Sequence, residues 1–303
     1  MARIFIVGSG VVGSATGLGF ARAGHEVTFV DIAPDRVAAL TAQGQDARAV
    51  LDLSFESESF IFLTLPTPNE GNRYDLSAFR QGVADVGRAL ARATAMHTVV
   101  VRSTVPPGTT EQVVAPLLEQ HSGHGEGAGF CLASNPEFLR AASAEDDFRW
   151  PWMTVIGARN ARVRERLQGL LAPFGGQLRA FDNPATAELV KCAHNIFNAT
   201  KISFWNEMWL VCQELGIDHD QVASTVADSA EASFNRQYGI RGGAPYGGVC
   251  LPKDTKGFLG FSAGLGVRMP LLAAVVEVNE ILEQRVVREI ELAQQPVPVH
   301  AEG

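Results

Sequence analysis

Near its amino terminus the chain reads Ile4-Phe5-Ile6-Val7-Gly8-Ser9-Gly10-Val11-Val12-Gly13, four apolar residues that run directly into three closely spaced glycines. A short apolar run ended by glycine and followed by helical periodicity, here over 11–23, is a strand that turns tightly into a helix. The same unit recurs downstream. Apolar runs at 26–30, 60–64, 98–102 and 130–133 predict further strands, and helical patterns at 35–42, 76–95 and 110–120 lie between them. Asp35 and Ser77 stand near helix starts, where short polar side chains are favoured. Strands alternating with helices in this way predict an α/β domain.

That domain is expected to be a Rossmann-like, doubly wound parallel sheet of roughly six strands occupying residues 1–182. After Phe181 the pattern changes. Residues 184–215 contain no proline after the first and are dense in apolar side chains, which predicts one long helix. Ile196, Phe197, Ile202, Phe204, Trp205, Met208, Trp209 and Leu210 cover more than one of its faces. Contact with both the first domain and a second subunit would use such a helix, and burial in a core alone is the other reading. A second helical block, 270–293, follows the glycine-rich stretch 239–248. Residues 183–293 therefore read as an all-α central domain mediating homodimerisation, and the polar, proline-containing 294–303 as a disordered tail.

The chain of 303 residues is 46% apolar and carries a net charge of -8, enough to bury sizeable cores. The acidic balance and the absence of a Lys/Arg-rich run argue against a nucleic-acid partner. No apolar run has the length of a membrane span, and the first strand follows Met1 too closely for a secretion signal. The four cysteines, Cys131, Cys192, Cys212 and Cys250, show no metal-ligand pairing, so no metal is expected; free thiols in a reducing cytoplasm are.

Small residues at Gly8, Gly10, Val11, Val12 and Gly13 let backbone approach a pyrophosphate at a helix amino end. Asp31, ending the second strand, is placed to bond a ribose 2'-hydroxyl and to repel a 2'-phosphate, which points to NAD. Arg36 is the one nearby group that could accommodate such a phosphate instead. Two further loops, from Thr64 through Pro66 and Thr67 to Pro68 and from Arg102 through Ser103 and Thr104 to Thr109, follow predicted strands. Ligands bind at the carboxyl ends of parallel strands, so proline-fixed hydroxyls there suit cofactor or substrate, although ordinary turns would look the same.

Cys250 lies in Gly247-Gly248-Val249-Cys250-Leu251-Pro252-Lys253-Asp254. A thiolate is a strong nucleophile near neutral pH, and addition to an aldehyde creates a thiohemiacetal from which hydride can leave. Lys253, three residues on, would favour the thiolate, whereas a buried apolar cysteine is the plain alternative. Lys191 and Asn195 are one helical turn apart and can converge on one oxygen to stabilise an oxyanion. Taken singly, a solvated lysine and a satisfied core amide are equally ordinary.

Five segments taken together resemble the UDP-glucose/GDP-mannose dehydrogenase family: the glycine fingerprint, Pro66-Thr67-Pro68, Ser103-Thr104-Val105-Pro106, Asn135-Pro136-Glu137-Phe138-Leu139 and the Cys250 segment. The stretch from Ala187 and Glu188 through Lys191 and Asn195 to Asn206-Glu207 is similar to that family's central helix. The resemblance implies an NAD-dependent, four-electron oxidation of a primary alcohol, of the nucleotide-sugar hydroxymethyl type, through a Cys250 thioester. It implies oxyanion roles for Lys191 and Asn195, water and proton handling by Asp254, Glu137 and Thr104, and a place near the cofactor phosphates for Lys253. It further implies a substrate site formed by Phe138, Leu139, Arg140, Lys191, Asn195, Tyr246, Gly247 and Gly248. His194, on another face of the helix, reads as structural.

Three features depart from the family pattern. Arg140-Ala141-Ala142 stands where a second glutamate and a glycine are usual. Trp150-Pro151-Trp152 replaces more polar residues. Relatives carry a third, carboxy-terminal domain for which 294–303 offers no counterpart. A two-electron dehydrogenase of a smaller alcohol and a noncatalytic dimeric binding protein are the competing expectations.

Overall fold

The computed structural model of the chain describes residues 1–53, 57–70, 73–229, 244–247 and 250–293. The chain divides into two compact units, Met1–Asn195 and Ile196–Gly303.

The first unit is built on an eight-stranded sheet. In chain order its elements are β1 (Arg3–Val7), α1 (Val11–Arg22), β2 (Glu26–Val30), α2 (Pro34–Ala42), β3 (Asp46–Arg48) and β4 (Ser59–Leu63). A short hairpin, β5 (Asn69–Glu70) and β6 (Arg73–Tyr74), precedes α3 (Ser77–Leu90) and β7 (His97–Val101). Then come a π-helical turn at Thr110–Val114 leading into α4 (Ala115–Ser122), β8 (Phe130–Ser134), α5 (Ala144–Arg149), β9 (Met153–Gly157), α6 (Ala161–Leu171) and β10 (Gln177–Phe181). The sheet order is β10-β9-β8-β7-β4-β1-β2-β3. Chain order reverses across β1 and β4, as in a doubly wound sheet.

Strand alternation explains how both faces are covered. Phe5 and Val7 enter one core with Ile61, Leu63, Val99 and Val101, closed by Val83, Val86 and Leu90 of α3 and Leu118 of α4. Ile4 and Ile6 point the other way, into a core with Phe20 of α1, Phe148 of α5 and Val163 and Leu167 of α6. Successive side chains of a strand face opposite sides, so a sheet buried on both faces needs uninterrupted apolar runs. The predicted strands have that composition.

Strand ends are aligned at one edge. Gly8 N donates to Val30 O at 2.8 Å and Thr64 N to Val7 O at 2.9 Å. Arg102 N and Ser103 N both reach Leu63 O at 3.0 Å, and Asn135 N reaches Val101 O at 2.8 Å. The loops after β1, β2, β4, β7 and β8 thus share one rim. The sheet is parallel through β8, where β9 departs from the expected all-parallel arrangement: it pairs antiparallel with β8 at Ser134 and Gly157, and β10 runs parallel to β9. The two strands meet through their last residues, so it is the end of β9, at Gly157, that lies beside Ser134 at the rim. The helix expected over 76–95 stops at Leu90, where Ala93 N turns back onto Leu90 O.

A single helix, α7, spans Pro184–Leu215, 32 residues, and its first turns belong to the first unit. In the second unit follow α8 (His219–Ala227), α9 (Cys250–Gly264) and α10 (Pro270–Ala293). Asp218 caps α8 by accepting from Asp220 N at 2.9 Å. Glu207 of α7 caps α10, its carboxylate accepting from Leu271 N at 2.5 Å and Leu272 N at 3.2 Å. A carboxylate at a helix amino end satisfies unpaired N–H groups and suits the helix dipole. Most of the glycine-rich stretch 239–248 and the tail 294–303 lie outside the described residues.

Candidate active site

The rim of the first unit carries two adjoining arrangements. The first surrounds the glycine turn. Gly8 has φ +95°, and a Cβ there would lie 2.7 Å from Thr64 O; at Gly13 it would lie 2.0 Å from Gly8 O. Neither position admits another residue unchanged. Gly10, by contrast, faces open space up to the Arg36 guanidinium, and Val11 is exposed beside Val12 at the start of α1. Asp31 is buried, accepts from Ser9 N at 2.6 Å and Ala33 N at 2.9 Å, and has Arg36 Nη1 3.5 Å from its carboxylate. Ser9 Oγ is buried without a hydrogen-bond partner. A buried hydroxyl rarely goes unpaired. A bare backbone cradle, an unmet hydroxyl and a carboxylate at the end of the neighbouring strand fit a dinucleotide.

The proline loops brace each other. Thr67 Oγ1 donates to Thr104 O at 2.7 Å, and Ser103 Oγ reaches Leu65 O at 2.7 Å. Both hydroxyl protons are engaged by backbone, so Thr67 and Ser103 have only lone pairs to offer a ligand. Pro66 is exposed on the same loop. A stronger brace comes from Glu188 of α7, which is buried and receives Gly108 N at 2.5 Å, Thr110 N at 2.8 Å and Thr110 Oγ1 at 2.5 Å. Burial pushes its carboxyl up, against these hydrogen bonds. Glu188 thus ties the loop carrying Thr104 to the helix carrying Lys191.

The second arrangement begins with the loop after β8. Glu137 divides its carboxylate between Lys191 Nζ, 3.1 Å away, and Leu139 N, 2.5 Å away. Lys191 is 5% exposed, and its ammonium also sits 5.3 Å from the centre of the Phe138 ring. A buried ammonium facing a carboxylate and an aromatic face is held in one position. Arg140 points elsewhere, to Asp147 of α5, whose carboxyl its hydrogen bonds hold well below the usual carboxylate range. Asn195 is exposed one turn beyond Lys191, with His194 Nδ1 3.2 Å from its Oδ1. His194 itself stacks on Trp152 and meets Phe138 edge to face.

Beneath this loop lies Arg102, a residue to which sequence reasoning assigned no role. It is 5% exposed. Its Nε donates to Thr16 Oγ1 of α1 at 2.9 Å and its Nη1 to Asn135 Oδ1 at 2.6 Å, while its guanidinium covers the Phe148 ring. Asn135 Nδ2 continues to Val155 O at 2.7 Å. Burial draws the guanidinium down to about 10, and the negative charge of Glu137 opposes that change. The only signal in the sequence was a cation ending an apolar strand.

In the second unit Cys250 is the first residue of α9. Pro252 falls in that first turn, where a missing N–H costs nothing. Tyr246 anchors the approach to the helix, its N donating to Asn279 Oδ1 at 2.7 Å and its hydroxyl lying 3.3 Å from Thr255 Oγ1. Gly247 is exposed. Gly248, and the side chains of Cys250, Lys253 and Asp254, lie outside the described residues. Among the described residues no group of three His, Cys, Asp or Glu is poised to hold a metal, and no helix is long and apolar enough to cross a membrane.

Comparison with known proteins places these residues in context. Residues 2–47 and 47–175 match the NAD-binding domain of the UDP-glucose/GDP-mannose dehydrogenase family, and 185–281 match its central domain. The chain is 35% identical to a UDP-glucose 6-dehydrogenase of Haloferax volcanii over 92% of this chain and 69% of that protein. It is 32% identical to the GDP-mannose 6-dehydrogenase of Pseudomonas aeruginosa, over 91% and 68%. A solved ternary complex of GDP-mannose dehydrogenase from Pseudomonas aeruginosa superposes with a TM-score of 0.86 at 29% identity, covering 96% of this chain and 71% of that one. A UDP-glucose dehydrogenase from Pyrobaculum islandicum gives 0.68 at 34% identity, covering 97% and 71%.

Proposed function

The chain belongs to the UDP-glucose/GDP-mannose dehydrogenase family, and on that premise we propose that it oxidises the primary alcohol of a nucleotide sugar to a carboxylic acid through a thioester on Cys250. The observation that carries this reading is that the family's two domain models together cover the glycine cradle, both members of the Glu137–Lys191 pair and Cys250. Relatives named for UDP-glucose and for GDP-mannose support the substrate class, and both kinds lie at similar identity.

Bound NAD supplies the hydride acceptor for each oxidation. Gly8, Gly10, Val11, Val12 and Gly13 offer it backbone, Ser9 a hydroxyl and Asp31 a ribose acceptor. Arg36, Pro66, Thr67, Ser103 and Thr104 line the same rim, and Lys253 is assigned to the phosphates. Lys191 and Asn195 stabilise the alkoxide as the alcohol loses its proton and hydride. The Cys250 sulfur then bonds the aldehyde carbon, and the carbonyl oxygen takes a proton. Its place at the amino end of α9 favours the thiolate. Loss of the second hydride to NAD, with the hydroxyl proton leaving to solvent, forms the carbonyl of the thioester. Water, oriented by Asp254, Glu137 and Thr104, adds to it, the carbon–sulfur bond breaks, and acid and thiol are released. Phe138, Leu139, Arg140, Tyr246, Gly247 and Gly248 are assigned to holding the sugar nucleotide. We further infer a homodimer formed through α7, working in a reducing cytoplasm that suits the free thiols of Cys131, Cys192 and Cys212.

NADH release with UDP-glucose and GDP-mannose, with the product identified by mass, tests the proposal. Two NADH per acid are expected. One NADH per substrate turned over would establish the two-electron reading, and no turnover of either would remove the nucleotide-sugar assignment. Cys250→Ser should abolish acid production; full retention of it would refute the thioester.

A further inference from the structure

The loop between α5 and β9 carries two tryptophans onto the rim, and they differ in what surrounds them. Trp150 is 70% exposed, and Arg149 covers its ring at 5.3 Å. Trp152 is fixed among aromatic neighbours: its ring centre lies 5.4 Å from that of His194, tilted by 32°, and 5.5 Å from that of Phe138, at 66°. Yet 55% of Trp152 remains open to solvent. An indole held on two sides and bare elsewhere is a prepared surface, because the cost of immobilising it is already met before a ligand arrives.

Resting on the nucleotide-sugar reading above, we propose that Trp152 is a specificity-determining residue whose indole carries the hexose of the substrate. Its distance from the chemistry fits. Phe138 touches Trp152 on one side and the Lys191 ammonium, 5.3 Å from its ring centre, on the other. One aromatic ring therefore separates the indole from the group assigned to the reacting oxygen, a span that a hexose ring bridges when its hydroxymethyl reaches Lys191. The chemistry fits as well. A pyranose presents C–H bonds on its faces and hydroxyls at its rim, and the indole offers an apolar plane in the same cavity wall as the Glu137 carboxylate.

Steady-state kinetics on the full chain, comparing wild type with Trp152→Ala, Trp152→Phe and Trp150→Ala, test this. Trp152→Ala should raise the KM for the nucleotide sugar about tenfold while the KM for NAD and the melting temperature stay put. Trp152→Phe should recover most of the loss, and Trp150→Ala should behave as wild type. Inhibition by free UDP or GDP identifies the moiety: its inhibition constant should be unchanged by Trp152→Ala. An inhibition constant rising in step with KM would put the nucleobase on the indole and overturn the proposal. So would an unaltered sugar KM in Trp152→Ala, or an equal rise in the KM for NAD. Failure of the wild type to turn over any nucleotide sugar is a separate result, one that removes the parent reading and this inference with it.

Discussion

Arg102 holds a full charge with neutral partners: among the described residues it makes no ion pair, and its donors go to Thr16 and Asn135. A guanidinium in such a place is retained for its shape, since its planar fork can serve a helix on one side and a loop on the other. Removing it strands two buried polar groups. Arg102→Met is therefore expected to cost about 3 kcal/mol in urea unfolding, and Arg102→Lys, which keeps the charge and loses the fork, an intermediate amount. Equal stability of Met and Lys variants would show that the fork does not matter. Legibility at this scale followed chemical rarity. Asp31 could be picked out because it ends the strand after the glycine turn, Glu137 because it follows Asn135-Pro136, and Lys191 because Asn195 stands one helical turn away. Arg102, Glu188 and His194 could not, since their partners are 86, 78 and 42 residues away or more in the chain for at least one contact.

Among the elements, α7 shows how a helix can be registered by one buried acid. Glu188 accepts from three donors of the loop at 108–110, which fixes the helix lengthwise and so fixes Lys191 one turn on. Because burial raises the Glu188 carboxyl in the folded state, its contribution to stability is fully present below the unfolded value and declines as pH rises through the folded one. Glu188→Gln removes that titration. The stability of wild type relative to this variant, measured by urea unfolding, should fall as pH rises above the ordinary carboxyl value of 4.5; a constant difference would contradict the assignment. Elements with long apolar runs were legible to within a residue or two, as β2 at Glu26–Val30 and α7 at Pro184–Leu215 show. The hairpin of β5 and β6 was not, since two-residue strands carry no periodicity. Nor was β10, whose burial is incomplete. The reversal of β9 was equally hidden, because a strand's direction depends on pairing partners that local composition does not encode.

For the whole molecule, the exposed apolar surface of α7 is the feature that one copy leaves unresolved. Ile196 and Phe197 are 65% and 67% exposed, and Trp209 and Leu210 are 46% and 43% exposed. Apolar side chains gathered on one helix at such exposure mark a protein interface more often than plain surface. Light scattering at micromolar concentration should give twice the chain mass, and Phe197→Glu should shift it toward one chain; a wild-type monomer would contradict the homodimer. The reversed direction of β9 has a separate consequence for how this molecule could be altered. Because β8 and β9 are neighbours that pair antiparallel, everything between residues 134 and 153 is one continuous insert with both of its ends in adjacent strands. Glu137, Phe138, Arg140 and Trp152 all ride on that insert, and so does Phe148, which packs on Phe20 of the helix that opens from the glycine cradle. Exchanging the segment for that of a relative is thus a single graft, and it must keep the α5 face through which Phe148 packs on Phe20 of α1 if the cradle's helix is to stay in place.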